Sequence, residues 1–265
     1  MLQMKLPITA VIITHNEEHN IEDCLRSLEF CSEMVVVDSF SSDGTVEIAK
    51  RFTGKVVQRK WKGINDQREY AKGLARSEWV LDIDADERVS PELAGEIADL
   101  DLGGDIDGFF LPRAAYYLGR WIRHGGWYPD YKMRLYRRGK ARFIDNDPHD
   151  TIEFSGRTAT LKGQIHHHTY PRGISDQLRQ IESFSTARAK LLKRRGRRFN
   201  IFQLTFRPVW KFFNTYILRA GFLDGLPGFI ISALSAYHVF ATWAKLWQLE
   251  SKTASQPDSG DDTAQ

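Results

Sequence analysis

The chain has only two cysteines, Cys24 and Cys31. They make no disulfide framework, and so sparse a use of cysteine fits a reducing compartment. No long apolar run stands near the start. Residues 8–14 are apolar but too few for a signal-peptide core, so the chain is expected to stay in the cytoplasm. No internal repeat is visible. The loop after the first apolar run, His15-Asn16-Glu17-Glu18, lacks glycine. That argues against an enzyme that makes sugar nucleotides, which needs a glycine-rich phosphate loop there. Acidic residues are also missing from one long stretch. From Arg188 to Arg219 ten Lys and Arg residues occur with no Asp or Glu between them, a bias that the net charge of +3 hides.

What is present is a composition able to build a core, 42% hydrophobic over 265 residues. Short apolar runs at 8–14, 34–37, 55–58 and 79–83 read as buried strands. Helical spacing separates them at 17–28, 45–52 and 66–75. Strands alternating with helices predict βαβ units and a mostly parallel sheet with helices on both faces. After a helix near 91–100, shorter strands are expected at 108–112, 131–137 and 141–144. The segment 175–195 reads as helix, and an aromatic, basic, helical region follows to about 249. The polar tail from Ser251 is expected to be disordered. The predicted organisation is one nucleotide-type domain over 1–172, a helical extension over 173–250 and a tail over 251–265.

In such sheets ligands bind beyond the carboxyl ends of the strands. Polar residues gather at three of those ends, at 14–17, 38–43 and 84–86. The run Asp82-Ile83-Asp84-Ala85-Asp86 is the most informative. Alternate residues of an extended chain share a face, so its three carboxylates repel unless a cation or hydrogen-bond donors compensate them. Oxygen ligands of this kind suit Mg²⁺ or Mn²⁺, which would neutralise a departing diphosphate. A solvated acidic turn is the plainer reading of an isolated D-x-D. Its position at the third polar strand end favours the cation.

These residues also carry a resemblance. Thr14-His15-Asn16-Glu17, the run Asp38-Ser39-Phe40-Ser41-Ser42-Asp43-Gly44-Thr45, and Asp84-Ala85-Asp86-Glu87 resemble the three motifs of family-2 glycosyltransferases of GT-A, Rossmann-like fold. More narrowly, the chain is similar to lipopolysaccharide inner-core β-1,4-glucosyltransferases. The matching segments are Gln67-Arg68-Glu69-Tyr70-Ala71, Trp127-Tyr128-Pro129-Asp130 with Arg134 to Arg138, His167-His168-Thr169-Tyr170, and Gly221 to Gly225. The resemblance covers about residues 7–250. One departure is Pro148-His149-Asp150, where His-Glu is expected.

The resemblance implies inverting transfer of a sugar, glucose in the first instance, from a UDP-sugar to a lipid-linked saccharide. Thr14, Asn16, Glu17, Asp38, Asp43 and Asp84 would line the nucleotide-sugar pocket, with Gln67 and Arg68 near the diphosphate. Asp84 and Asp86 would meet the metal. His167, in an H-x-x-Y pattern with Tyr170, would touch metal or diphosphate, or simply pack beside the tyrosine. Inversion needs one carboxylate to deprotonate the acceptor. Asp150 is the first choice for that base and Asp130 the second. Rival readings on the same donor half are transfer to a polyprenyl phosphate or a protein, and a non-catalytic relative bound to membrane.

Beyond residue 188 basic residues stand beside aromatics. Arg194, Arg195, Arg197 and Arg198 precede Phe199, Phe202, Phe206 and Trp210. This pattern suits an anionic membrane surface, with a plain core helix as the alternative; no nucleic-acid module accompanies it, so nucleic acid is not expected. Residues 226–244 carry no Lys, Arg, Asp or Glu, yet across 229–247 polar residues at 232, 235, 238, 242 and 245 draw one narrow stripe. Such a helix could lie in the interface plane, pack on the domain or pair with a second copy, and its apolar length of about 20 residues just meets that of a membrane span. The expected location is peripheral, on the inner face of the cytoplasmic membrane.

Overall fold

The computed structural model describes residues 5–144 and 151–254. The chain divides into two compact units, Met1–Arg123 with Trp127–Thr169, and His124–Gly126 with Tyr170–Gln265.

The first unit is mixed α/β and mostly parallel. Its elements, in order, are β1 (Leu6–Thr14), α1 (Ile21–Arg26), β2 (Cys31–Asp38), α2 (Thr45–Ala49), β3 (Val56–Gln58), α3 (Ile64–Gly73), β4 (Trp79–Asp84), β5 (Glu87–Val89), α4 (Pro91–Ala98), β6 (Gly108–Tyr117), β7 (Arg120–Ile122), β8 (Asp130–Arg137), β9 (Ala141–Ile144), β10 (Thr151–Phe154), β11 (Thr158–Thr160) and β12 (Ile165–His168). The main sheet runs β3-β2-β1-β4-β8-β6-β12-β5. β3, β2, β1 and β4 are mutually parallel, as continuous apolar runs buried on both faces require. β8 is antiparallel to β4 and to β6, so β6 runs in the direction of β4 and pairs parallel with β12. Alternate residues of β1 feed two cores. Ile8, Ala10 and Ile12 pack with Leu25 and Ile97, whereas Val11 and Ile13 pack with Ala71 and Ala75. Helices therefore cover both faces, as expected for the GT-A, Rossmann-like class.

The register fixes the functional edge. Thr14 pairs with Asp38 and Ile13 with Asp84, so the ends of β1, β2 and β4 finish level. α1 is shorter than the predicted helix because the backbone at its expected start is used elsewhere. Glu17 N–H donates to Thr45 Oγ1 at 2.8 Å and Glu18 N–H to Asp43 Oδ2 at 3.2 Å. β5 and β12 have no counterpart among the expected strands. Each is three or four residues long, too short for a period of two to declare itself.

The second unit holds α5 (Ile174–Arg194), α6 (Ile201–Phe213), which passes into a π turn, and α7 (Gly225–Ala254) after a 3₁₀ turn. Gly228 must be glycine, since a Cβ there would sit 1.9 Å from the Gly221 carbonyl oxygen. The polar stripe of α7 points into the unit. Ser232 and Thr242 are buried and return their hydroxyls to the carbonyls of Gly228 and His238, while Lys245 reaches Ser185 and Glu182. Large apolar side chains point outward instead: Leu226, Phe229, Tyr237, Phe240 and Trp247 on α7, and Ile201, Phe202, Phe206, Val209, Trp210 and Phe213 on α6. No residue of α6 is buried. By length and composition α7 could cross a membrane.

Candidate active site

The loops after β1 and β2 are stapled together. Asn16 adopts a left-handed conformation, φ 55°, which asparagine tolerates. From there its N–H donates to Ser41 Oγ at 2.8 Å, and its Oδ1 accepts from Ser42 N–H at 2.8 Å. Glu18 Oε2 accepts from Gly44 N–H at 2.9 Å, and Asp43 Oδ1 accepts from the Thr45 hydroxyl at 2.5 Å. Asp38 is fully buried and folds its own loop, accepting from Ser41 N–H at 2.9 Å and from Gln58 at 3.0 Å. Gln67, also fully buried, donates to Ser39 Oγ at 3.0 Å and accepts from Arg59 at 2.7 Å. Asn16, Glu17, Asp43, Asp84 and Asp86 keep part of their surface at this edge; Thr14, Asp38, Gln67 and Arg68 stand behind it.

The three aspartates have different surroundings. Asp82 is buried and bound to Arg68. Asp84 accepts from Arg68 on Oδ1 at 2.6 Å and from Arg134 on Oδ2 at 2.7 Å. Arg134 also donates to Glu87 at 2.8 Å, and Arg113 reaches the same Glu87 oxygen at 3.1 Å. Three guanidiniums thus meet three carboxylates, Asp82, Asp84 and Glu87. Burial pushes the Asp84 carboxyl up, but Arg134 and Arg68 outweigh it and hold the group far below the ordinary carboxylate range. Arg68, expected beside a diphosphate, has its guanidinium inside this network and is only 2% exposed. Arg113 carries no expectation from the sequence, and Arg134 only its place in the matching segment 134–138. The available signal was an arginine inside the otherwise apolar run Met133 to Tyr136, because a charge in a buried strand requires an internal partner.

Asp86 lies outside that balance. Its Oδ2 stands 3.0 Å from His167 Nε2, and β12 delivers the histidine there by pairing His167 with Glu87. Burial lowers the imidazole's proton affinity, yet the Asp86 charge and hydrogen bond leave it above the ordinary value. Glu17 is raised, first by burial, then by Asp86, Asp43 and Asp84 despite a bond from Asn20. The edge is therefore acidic and attractive to a cation. Adjacent ligands of an octahedral ion at about 2.1 Å lie roughly 3 Å apart, the separation of the Asp86 and His167 atoms. No group of three metal-ligating side chains gathers among the described residues. A carboxylate and an imidazole fit a divalent cation that takes its other ligands from phosphate oxygens and water.

His166 and His168 point to the other face of β12, where Trp121 lies 4.5 Å and 5.8 Å from their ring centroids. Asp130 is clamped. Arg113 donates to Oδ2 at 3.0 and 2.6 Å, and Lys132 stands 3.2 Å from Oδ1. Burial raises its carboxyl, but these cations outweigh that and lower it. Asp150 lies outside the described residues. In the second unit Arg194, Arg195, Arg197, Arg198 and Trp210 are all exposed.

Comparison with known proteins gives this geometry a family. Residues 9–161 match the model of glycosyl transferase family 2. An uncharacterized glycosyltransferase of Rickettsia typhi is 32% identical over 93% of this chain and 88% of its own length. The lipopolysaccharide core biosynthesis glycosyltransferase LpsC of Rhizobium meliloti is 30% identical over 92% of this chain and 93% of its own. Among solved structures, S. aureus TarS aligns at TM-score 0.49 and 19% identity, covering 97% of this chain and 94% of that one. The chain belongs to glycosyl transferase family 2.

Proposed function

We propose that this family-2 glycosyltransferase is a metal-dependent, inverting enzyme that moves a sugar, glucose first among candidates, from a UDP-sugar to a lipid-linked saccharide of the lipopolysaccharide-core class. One observation carries the reading. At the level ends of three parallel strands, every neighbouring carboxylate of the D-x-D run is matched by an arginine except Asp86, which faces outward with His167. The name of the Rhizobium relative supports the acceptor class.

Asp86 and His167 would hold Mg²⁺ or Mn²⁺, which when bound offsets the charge that builds on the leaving diphosphate. Asp84 has both oxygens taken by arginines, so it orients the turn that presents Asp86. Asn16, Glu17 and Asp43 line the nucleotide side. Thr14, Asp38, Gln67 and Arg68 shape that side from behind. A base must be free to accept a proton. Asp130, held by two cations, is a weak one, which leaves Asp150 as the group that deprotonates the acceptor. The exposed apolar and basic side chains of the second unit would rest on the inner leaflet, where lipid-anchored acceptors present their sugars. A peripheral, cytoplasmic enzyme follows.

The test is calorimetry of UDP-glucose, UDP-galactose, UDP-N-acetylglucosamine and GDP-mannose, each with and without Mn²⁺. Saturable binding of one UDP-sugar that requires the metal is expected. If no donor binds with metal present, the reading fails, and a non-catalytic relative takes its place.

A further inference from the structure

We propose that the second unit carries a binding pocket for a phosphate group. A cavity of about 330 Å³ lies wholly within this unit, and its wall includes Arg188, Arg195, Arg197, Arg207, Gln203 and Trp243. That volume is at the small end of ligand-sized pockets. It has room for a phosphate and part of whatever carries it.

The local structure explains why four arginines converge. Arg188 on α5 and Arg195, which caps its C-terminal end, are two turns apart. Gly196 then adopts φ 70°, a left-handed turn that ends the helix, and Arg197 N–H returns to the Leu192 carbonyl at 3.0 Å. The turn places Arg197 at the same helix end. Gln203 and Arg207 are one turn apart on α6. The Arg207 guanidinium lies 5.7 Å from the ring centroid of the buried Trp243, which fixes it by a cation–π contact.

Nothing among the described residues neutralises these charges. Among the described residues no carboxylate pairs with any of the four. Glu182 takes Lys245 at 2.8 Å, and Glu250 accepts the Phe199 N–H at 2.9 Å. Like charges around one cavity raise each other's energy, and an anion between them removes that cost. Arginine forks match phosphate oxygens two at a time. A terminal phosphate offers a charge of about −1.5 to −2 and three acceptor oxygens, whereas a diester offers less of both. The pocket therefore selects a phosphate monoester, carried either by a lipid headgroup or by a soluble anion.

This inference deepens the reading of the second unit as membrane-facing, and its test separates the two. The full chain, free of metal, is sedimented with phosphatidylcholine vesicles carrying either phosphatidic acid, a monoester, or phosphatidylglycerol, a diester, at matched surface charge. Arg188→Gln with Arg207→Gln empties the cavity wall. Arg194→Gln with Arg198→Gln removes the same charge from outside it. The native chain is expected to prefer phosphatidic acid. The cavity variant should lose that preference, with roughly ten-fold or more weaker binding to phosphatidic acid and the same phosphatidylglycerol binding as the comparator. Should the cavity variant fail to melt like the native chain, Arg207→Lys keeps the charge but not the fork, and it should lose the preference alone. Saturable binding of inorganic phosphate, abolished in the cavity variant, would support the pocket with a soluble ligand. Preference seen only on vesicles would support it with a headgroup. Equal losses in both variants, no monoester preference and no saturable phosphate binding would overturn it. If no vesicle binds but phosphate titrates, the membrane reading fails and the pocket stands.

Discussion

Both units bury an apolar core, but they differ in what they place inside and outside it. In the first, charges go inside: Arg68, Asp82, Glu87 and Arg134 are almost without solvent contact, and each is matched by an opposite charge. In the second, Ser232 and Thr242 of α7 turn inward beside Ile231, Trp243 and Leu246, while Leu226, Phe229, Tyr237, Phe240 and Trp247 stay out. Of twenty-three large apolar residues left exposed among the described residues, eighteen belong to the second unit, although it is the smaller of the two. The first unit uses buried charge to set the position of a few atoms. The second leaves large apolar side chains exposed along α6 and α7.

Four changes would break or sharpen this contrast. Asp86→Ala should remove one outward charge without touching the balanced network. Sugar transfer should fall roughly a thousand-fold or more, equivalent to about 4 kcal/mol of barrier, while the melting temperature stays near native. Normal turnover at saturating donor would sink the metal assignment. Arg134→Leu attacks the network itself. It strands Asp84 and Glu87 without one guanidinium, and chemical denaturation should show a loss of about 3–5 kcal/mol. A loss under about 1 kcal/mol would mean that the buried charges are not held as pairs.

In the second unit the effects should appear on binding and spare stability. Arg194, Arg195, Arg197 and Arg198 changed together to Ser should weaken anionic-vesicle binding roughly ten-fold or more at low salt, with the difference shrinking as salt rises. Unchanged sedimentation would refute the surface reading. Phe206→Ser with Trp210→Ser removes exposed rings. Vesicle binding should drop several-fold, and unfolding free energy should move by no more than about 0.5 kcal/mol. A large loss of stability would show these rings to be core after all.

Much of the first unit was legible because its signals are local. Continuous apolar runs announced β1, β2 and β4, and the polar residues that follow marked the binding edge. The expected helix over 17–28 was too long because Thr45 and Asp43 capture backbone donors that a helix would use. That competition comes from residues more than twenty positions away. The assignment of α7 as a helix with one polar stripe was also available from spacing. Which way the stripe faces was not, because periodicity identifies a face without saying what covers it.

The sequence alone determined the alternation of strands and helices, the acidic run at 82–86 and the basic stretch without acids. Each depends on neighbours in the chain, and local propensity, patterning and charge suffice to read it. Tertiary structure decided which aspartate stays available. Arg68 comes from α3, Arg134 from β8 and Arg113 from β6, and they converge on Asp82, Asp84 and Glu87 while His167 arrives from β12 to face Asp86. A buried charge takes whatever opposite charge the fold brings within about 3 Å, and long-range sheet register, absent from any local pattern, sets that distance.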